Sequence, residues 1–379
     1  MFLNKLQLKH FRNYEELSLD FKKNLVIFLG DNAQGKTNIL ESIYCLALTK
    51  SHRTNNEQEL ISFEGDQAYL FGEVKKGHQQ IPLELFLTKK GRKCKVNHIE
   101  QKLLSSYIGQ MNVILFAPED LSLVKGSPQV RRKFLDMEIG QMNRVYLYEL
   151  QQYQKILKQR NQYLKQAAIN QKFDAVYFEI LTEQLVEHGS KVLLTRAQFT
   201  KELEHWANGL HQKISHEKET LTLRYDSTLK SLDTLDLAQI QAEYQAKLAE
   251  QLDKERQRQS TLIGPHRDDL LFFINGKNVQ NFGSQGQQRT TALSVKLAEI
   301  DLMHQETGEY PILLLDDVMS ELDDLRQLHL LQTIENKVQT FLTTTTLNHL
   351  KDKMTLEPEI YYVSHGTIQT KVSEERSGL

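Results

Sequence analysis

Gly30-Asp31-Asn32-Ala33-Gln34-Gly35-Lys36-Thr37 follows the spacing G-x-x-x-x-G-K-[ST] of a phosphate-binding loop. The chemistry open to that spacing is the grip of a triphosphate. Its glycines let the backbone turn until successive N–H groups face the β-phosphate at the positive end of a helix. Lys36 is then placed to bridge the β- and γ-phosphates, and the Thr37 hydroxyl to ligate Mg²⁺. A metal held that way needs a carboxylate. Pro311-Ile312-Leu313-Leu314-Leu315-Asp316-Asp317 offers two, after an apolar run and at a strand's carboxyl end, where ligands bind in open α/β sheets. Asp316 is the expected Mg²⁺ partner, directly or through water, and Asp317 the expected general base toward an attacking water. Alone, the first motif also fits a glycine-containing turn and the second a capped strand. Together they fit those plainer structures poorly.

A third stretch, Asn281-Phe282-Gly283-Ser284-Gln285-Gly286-Gln287-Gln288-Arg289-Thr290, precedes an expected helix over 291–304. Ser284 suits its N-cap, and Gly286 lets backbone approach an anion closely. Taken alone, the stretch reads equally well as a loop at a helix start. Its place, one helix and one strand before the paired acids, resembles the signature loop of ATP-binding-cassette ATPases. That resemblance implies that Ser284, Gln285, Gly286 and Gln287 meet the γ-phosphate of ATP held on another subunit. Ser320-Glu321-Leu322-Asp323 resembles the D-loop of the same superfamily, with Ser320 and Asp323 as its polar members.

The elements that must carry these residues are legible. Leu6 and Leu8 alternate with polar neighbours, and Leu25-Val26-Ile27-Phe28-Leu29 reads as a strand buried on both faces. Ile39, Leu40, Ile43, Leu46 and Ala47 then step at helical spacing. Three β-rich runs over 69–74, 81–87 and 93–96 are separated by Lys-Lys-Gly turns at Gly77 and Gly91, which predicts an antiparallel meander. After about residue 122 the chain turns rich in Gln, Glu, Lys and Leu. Tyr146, Leu150, Tyr153, Leu157 and Leu164 mark a long amphipathic helix, with two or three more through about residue 256. Strands return at 270–273, 312–315 and 340–342. The expected architecture is an α/β ATPase head with an antiparallel part: 1–122, a helical insertion over 123–258, and a second head segment over 259–379.

Composition narrows the class. The 379 residues are 40% apolar and 25% charged, ordinary globular usage, with a formal charge of −2. Such a balance is no signature of nucleic-acid binding, so DNA would have to meet a local patch or an assembled state. Two cysteines, Cys45 and Cys94, are too few for a disulfide framework or a cysteine-based zinc site. The N-terminus lacks the continuous apolar stretch of a secretory signal, and no apolar run approaches the roughly 18 residues of a membrane helix. A cytoplasmic protein without membrane association is expected. Basic clusters at Arg131, Arg132 and Lys133, and at Lys155, Lys158, Arg160 and Lys165, are candidate DNA contacts, although most charge runs are solvated faces. Trp206 sits among helical apolar positions and reads as core.

In order and spacing, the motifs resemble the RecF family of bacterial recombination-mediator ATPases, related to the heads of structural-maintenance-of-chromosomes proteins. The matching pieces span nearly the whole chain. They are Leu8-Lys9-His10-Phe11-Arg12-Asn13-Tyr14, the phosphate loop ending in Lys36-Thr37-Asn38, Phe116-Ala117-Pro118-Glu119-Asp120-Leu121, Lys125-Gly126-Ser127-Pro128 with Arg131-Arg132, and Gly264-Pro265-His266-Arg267-Asp268-Asp269, followed by the signature, acids and D-loop. The resemblance implies that Arg12 and Asn13 are phosphate-contacting, and that Glu119 stands at a position near the metal that is often glutamine in relatives. A switch histidine is not evident: Thr343-Thr344-Thr345-Thr346 occupies the strand end where it would fall, with His349 a few residues on. Either a threonine hydroxyl serves there, or γ-phosphate sensing and hydrolysis are weak; slow turnover is the expectation. The family likeness further implies ATP and Mg²⁺ as ligands, an ATP-dependent homodimer closing on duplex or gapped DNA, and work with RecR, RecO and RecA in replication, recombinational repair and SOS induction. Alternatives are an ATP-binding scaffold with negligible hydrolysis, a P-loop kinase, which leaves the signature without work, and a transporter's nucleotide-binding subunit, in which loop and signature lie much closer together.

Overall fold

The computed structural model describes residues 1–320, 322–334, 337–347 and 357–370. Two compact units divide the chain: Met1–Asp120 with Lys296–Leu379, and Leu121–Val295.

The first unit begins with strands β1 (Phe2–Phe11) and β2 (Tyr14–Asp20), paired antiparallel with Phe11 opposite Tyr14. After β3 (Leu25–Leu29) and helix α1 (Lys36–Leu48) come β4 (Gln67–Lys76), β5 (Gln79–Thr88), β6 (Gly91–Val96), β7 (Ile99–Glu100), the short α2 (Leu104–Tyr107) and β8 (Val113–Phe116). The expected meander is present, and it is larger than expected. Its antiparallel sheet runs β2-β1-β4-β5-β6-β7 and recruits the N-terminal hairpin. One face is buried through Leu6, Leu8, Leu70 and Leu85, the alternation that a half-buried sheet requires.

The second unit holds α3 (Leu121–Lys125), α4 (Pro128–Met142), α5 (Arg144–Asn170), α6 (Ala175–Ile214), β9 (Leu221–Asp226), α7 (Leu237–Glu250), α8 (Leu252–Arg258), β10 (Asp269–Ile274), β11 (Lys277–Asn278) and α9 (Val279–Phe282). Asn143 and Asp174 cap α5 and α6 through side-chain oxygens. Their apolar faces meet in a core that includes Tyr153, Ile156, Leu185, Leu193, Ile240 and Tyr244. Two sequence expectations shift here. The break at residue 258 is not where the units part, and the strand expected at 270–273 does not join the parallel sheet. β10 pairs antiparallel with β9, in a separate sheet ordered β11-β10-β9. The reason is one-sided burial: Leu270, Phe272 and Ile274 point inward while the residues between them are half-exposed.

Helix α10 (Gln285–Thr307) contains the boundary between units. The first unit then resumes with β12 (Ile312–Asp316), α11 (Asp324–Ile334), β13 (Thr340–Thr344), β14 (Glu359–Ser364) and β15 (Thr367–Thr370). These complete a second sheet, β15-β14-β3-β13-β12-β8, parallel except for its β14–β15 edge. Strand β3 lies inside it, flanked by β13 and β14. Its five-residue apolar run is therefore covered on both sides, and its carboxyl end opens beside that of β13.

Candidate functional site

The loop leaving β3 is shaped by what cannot fit around it. A Cβ on Gly30 would stand 2.3 Å from the Val363 carbonyl oxygen. Gly35, the N-cap of α1, has φ of 112°, and a Cβ there would meet Asn13 Nδ2 at 2.6 Å and the Tyr14 hydroxyl at 2.9 Å. Ala33 is held in the left-handed region at φ of 64°, a strained conformation for a residue with a Cβ. No side chain caps the first turn of α1, so the N–H groups of a helix N-terminus are spared for a ligand. Asp31, Asn32 and Ala33 are exposed, whereas Lys36 is buried. Lys36 Nζ donates to the carbonyls of Gly30 at 2.6 Å and Asp31 at 2.7 Å. Burial lowers its pKa, opposed by Asp317, Asp31 and Asp316.

The two motifs singled out first meet through one short bond. Thr37 Oγ1 donates to Asp316 Oδ1 at 2.9 Å. Thr343 Oγ1, at the end of β13, donates to the same oxygen at 2.8 Å and accepts the Asp317 N–H at 2.9 Å. Asp317 needs that support, because its φ of 52° is left-handed. The four threonines are therefore not equivalent: Thr343 fixes both acids, while Thr344 bonds locally to the Thr346 carbonyl. Hard oxygen donors from one hydroxyl and one carboxylate suit Mg²⁺, which takes few protein ligands and completes its shell with phosphate and water. The glycine cradle and this donor set fit a Mg²⁺-nucleotide.

Other expected residues are placed differently. The Arg12 guanidinium does not point freely at a phosphate: Nε and Nη2 donate to the Glu41 carboxylate at 2.9 and 2.7 Å, and Nη1 to the Glu59 carbonyl at 2.9 Å. Burial pushes the Glu41 carboxyl up. Hydrogen bonds from Arg12 and Ser51, with the charges of Arg12 and Arg53, outweigh that and hold it below the usual carboxylate range. Arg12 thus anchors the turn that carries Asn13, whose Oδ1 accepts from Asn38 Nδ2 at 2.7 Å. Glu119 is exposed in the turn Pro118–Asp120 after β8, with no hydrogen bond or ion pair to Thr37 or Asp316. The acid drawn inward is its neighbour Asp120. It accepts the Ala117 N–H at 2.9 Å and is pushed up to about 6 by burial, against the charge of Lys296. Ser320 Oγ donates to the Asp317 carbonyl at 2.7 Å, and Asp323 caps α11 by accepting the Arg326 N–H at 3.0 Å. Glu321 and His349 lie outside the described residues.

Sequence reasoning missed the supports. Tyr14 donates to the Gly35 carbonyl at 3.1 Å, and the turn joining β14 to β15 reaches the loop through His365 N–H to Gln34 Oε1 at 2.7 Å and Gly366 N–H to the Gln34 carbonyl at 3.1 Å. A signal existed for Glu41: a carboxylate on the apolar face of α1, fully buried, must have a cationic partner. For the His365–Gly366 turn there was none.

The second unit holds the signature stretch. Ser284 and Gln287 form a reciprocal cap: Ser284 Oγ accepts the Gln287 N–H at 3.2 Å, and the Ser284 N–H donates to Gln287 Oε1 at 2.9 Å. Gln287 Nε2 in turn donates to Glu219 at 2.8 Å. Ser284 and Gln285 are exposed, and Gly286 and Gln287 half-buried. Two DNA candidates are corrected here. Arg131, 2% exposed, is spent on Asp269 through two bonds of 2.7 Å, and Arg160, 1% exposed, on Glu255 at 2.7 Å. Buried charge demands such partners. Lys133, Lys155, Lys158 and Lys165 are exposed, Arg132 is half-buried, and so is Trp206. Both cysteines are buried thiols.

Comparison with known proteins agrees with this geometry. A family model described as the RecF/RecN/SMC N terminal domain matches residues 2–369. The DNA replication and repair protein RecF of Enterococcus faecalis is 65% identical over 373 residues, 97% of this chain and 99% of that protein. Its counterpart in Bacillus subtilis is 53% identical, covering 97% and 100%. A solved structure of the recombination mediator protein RecF with ATP, in the RecFOR pathway, is 32% identical, covers 97% of each chain and superposes with a TM-score of 0.88. The head of an SMC protein, at 14% identity and a TM-score of 0.55, shares the fold. Among the described residues no helix is long and apolar enough to cross a membrane. The architecture is that of a P-loop ATPase head of the ABC and SMC kind, and the chain belongs to the RecF family of DNA replication and repair proteins.

Proposed function

We propose that the chain is an ATP-switched DNA-binding protein of recombinational repair, acting in the cytoplasm. The observation that carries the reading is the bond from Thr37 to Asp316, reinforced by Thr343, because it joins phosphate loop and carboxylate strand into one acceptor for a Mg²⁺-nucleotide. Thr37 and Asp316 would hold Mg²⁺, which when bound offsets charge on the β- and γ-phosphates. Lys36 exchanges its loop carbonyls for phosphate oxygens, and the first-turn N–H groups of α1 orient the chain of phosphates. Asp317, fixed by Thr343, accepts the proton of water attacking the γ-phosphate, so that ATP and water become ADP and phosphate.

By family likeness, Ser284, Gln285, Gly286 and Gln287 of one copy close on the nucleotide of another, with Ser320 and Asp323 beside the junction. ATP then joins a homodimer around duplex or gapped DNA, and slow hydrolysis opens it. The solved relative is a protein of the RecFOR pathway, which supports RecR and RecO as partners; by family likeness RecR is the direct one, and RecO and RecA act downstream at gaps. The test is sedimentation of wild type and Ser284→Arg with ATP, with and without gapped duplex. Wild type should dimerise with ATP, and Ser284→Arg should bind ATP yet stay monomeric. Dimers persisting in the variant would count against the shared pocket.

A further inference from the structure

The motif Gly264-Pro265-His266-Arg267-Asp268-Asp269 is unused by the nucleotide site. Its acids are turned away from solvent. Asp269 is gripped by Arg131, and Asp268, 4% exposed, is pushed up to about 7 by burial, against hydrogen bonds from Ser227 and Tyr225. Its imidazole is neutralised in place. His266 Nε2–H donates to the Thr261 carbonyl at 3.1 Å, and Nδ1 accepts the Tyr153 hydroxyl at 2.6 Å. Only the arginine faces outward.

Arg267 is exposed, and its Nε and Nη2 donate to the Thr261 carbonyl at 3.3 and 3.1 Å. From the first turns of α4, Arg132 Nη1 donates to the Asp268 carbonyl at 2.8 Å, next in sequence to Arg267. Burial depresses the basicity of His266, and both guanidiniums lie close enough to lower it further, along with Arg160. Three buried arginines of this unit are held differently. Arg131, Arg160 and Arg196 are buried and each meets a carboxylate, Asp269, Glu255 and Asp136 respectively. Arg132 and Arg267 make no ion pair among the described residues. Each is pinned by a peptide oxygen that fixes its fork without cancelling its charge, and each keeps further N–H donors for an anion. A structural arginine would be buried on a carboxylate, and a merely solvated one would not be fixed.

We infer that Arg132 and Arg267 form a carbonyl-anchored guanidinium pair that takes phosphodiester oxygens of a nucleic-acid backbone on the second unit. The inference deepens the DNA-binding reading and rests on it. Contacts of this kind read no sequence; they position the duplex and release counterions. The shared chemistry, phosphate oxygen on guanidinium, also admits free nucleotide, and the experiment separates the two.

Fluorescence anisotropy with a labelled mixed-sequence duplex, from about 50 to about 200 mM salt, compares wild type, Arg132→Gln/Arg267→Gln, and Lys230→Gln/Lys277→Gln, two exposed lysines outside every candidate cluster. The arginine double variant should lose at least about tenfold in duplex affinity and have its log–log salt slope reduced by about two. Its ATP affinity should be unchanged, and the lysine variant should keep the wild-type slope. Arg267→Gln alone, at an exposed side chain, should reduce the slope by about one, and it serves if the double variant melts early. If wild type binds duplex and the arginine variants keep its slope, the clamp is wrong while the DNA reading stands. Loss of ATP affinity instead of duplex affinity assigns the pair to nucleotide and overturns it too. If wild type has no affinity for duplex, both fall.

Discussion

Two loops of this chain open onto helix N-termini, and they differ in how the first turn is satisfied. Ahead of α1, Gly35 offers no side chain, and the cap is left to whatever binds. Ahead of α10, Ser284 and Gln287 cap each other. The same backbone physics thus leaves a first turn open in one place and partly closed by its own side chains in the other. The capping bond uses only the acceptor side of the Ser284 hydroxyl, so its exposed O–H can still donate to a phosphate oxygen while the cap stays in place.

The largest test of the contrast is Lys36→Ala. It should lower ATP affinity by about 100-fold by calorimetry, about 2.7 kcal/mol, because the buried ammonium is the loop's only cation. Affinity within a few-fold of wild type would mean the uncapped turn is not a phosphate receptor. Gly35→Ala comes next: a Cβ at φ of 112° and 2.6 Å from Asn13 should cost about 1–3 kcal/mol in urea unfolding and weaken ATP binding with it. Unchanged stability would show that Asn13 and Tyr14 yield freely. Thr343→Val should remove the brace on both acids and reduce the Mg²⁺-dependent part of ATP affinity by about tenfold, with Thr343→Ser restoring it. Equal loss in EDTA would assign Thr343 to packing alone. The smallest effect belongs to the self-capped loop. Ser284→Ala should destabilise by about 1 kcal/mol and leave monomer ATP affinity intact. A drop in that affinity would blur the distinction between the loops.

Sequence reading went furthest where chemistry forces spacing. The phosphate-loop motif, the acids and their strands were legible because the proposed grip on a Mg²⁺-nucleotide would set their spacing, with Gly30 and Gly35 at the loop's turns and Asp316 beside Thr37. It failed where a charge can be met in more than one way. Arg131, Arg132 and Lys133 are adjacent, yet one is consumed by Asp269, one is pinned to a carbonyl and one is free at the surface. Nothing local distinguishes them, because the partner lies more than a hundred residues away. Arg12 misled although its partner is nearer: the buried Glu41 on α1 takes the charge that the motif assigned to phosphate. The boundary placed at residue 258 slipped because β10, expected within the second head segment, pairs with β9 instead.

The placement of β3 between β13 and β14 has a consequence for biogenesis. Residues 25–29 leave the ribosome more than 300 residues before their two neighbours, 340–344 and 359–364. The second unit is continuous in sequence and can fold while translation proceeds, whereas the strand that leads into the phosphate loop must wait for a long-range closure. On the proposed reading, nucleotide capture would therefore report that residues 340–344 have been made and paired: a ribosome-stalled fragment ending before residue 340 would carry the glycine loop without the strand that flanks β3.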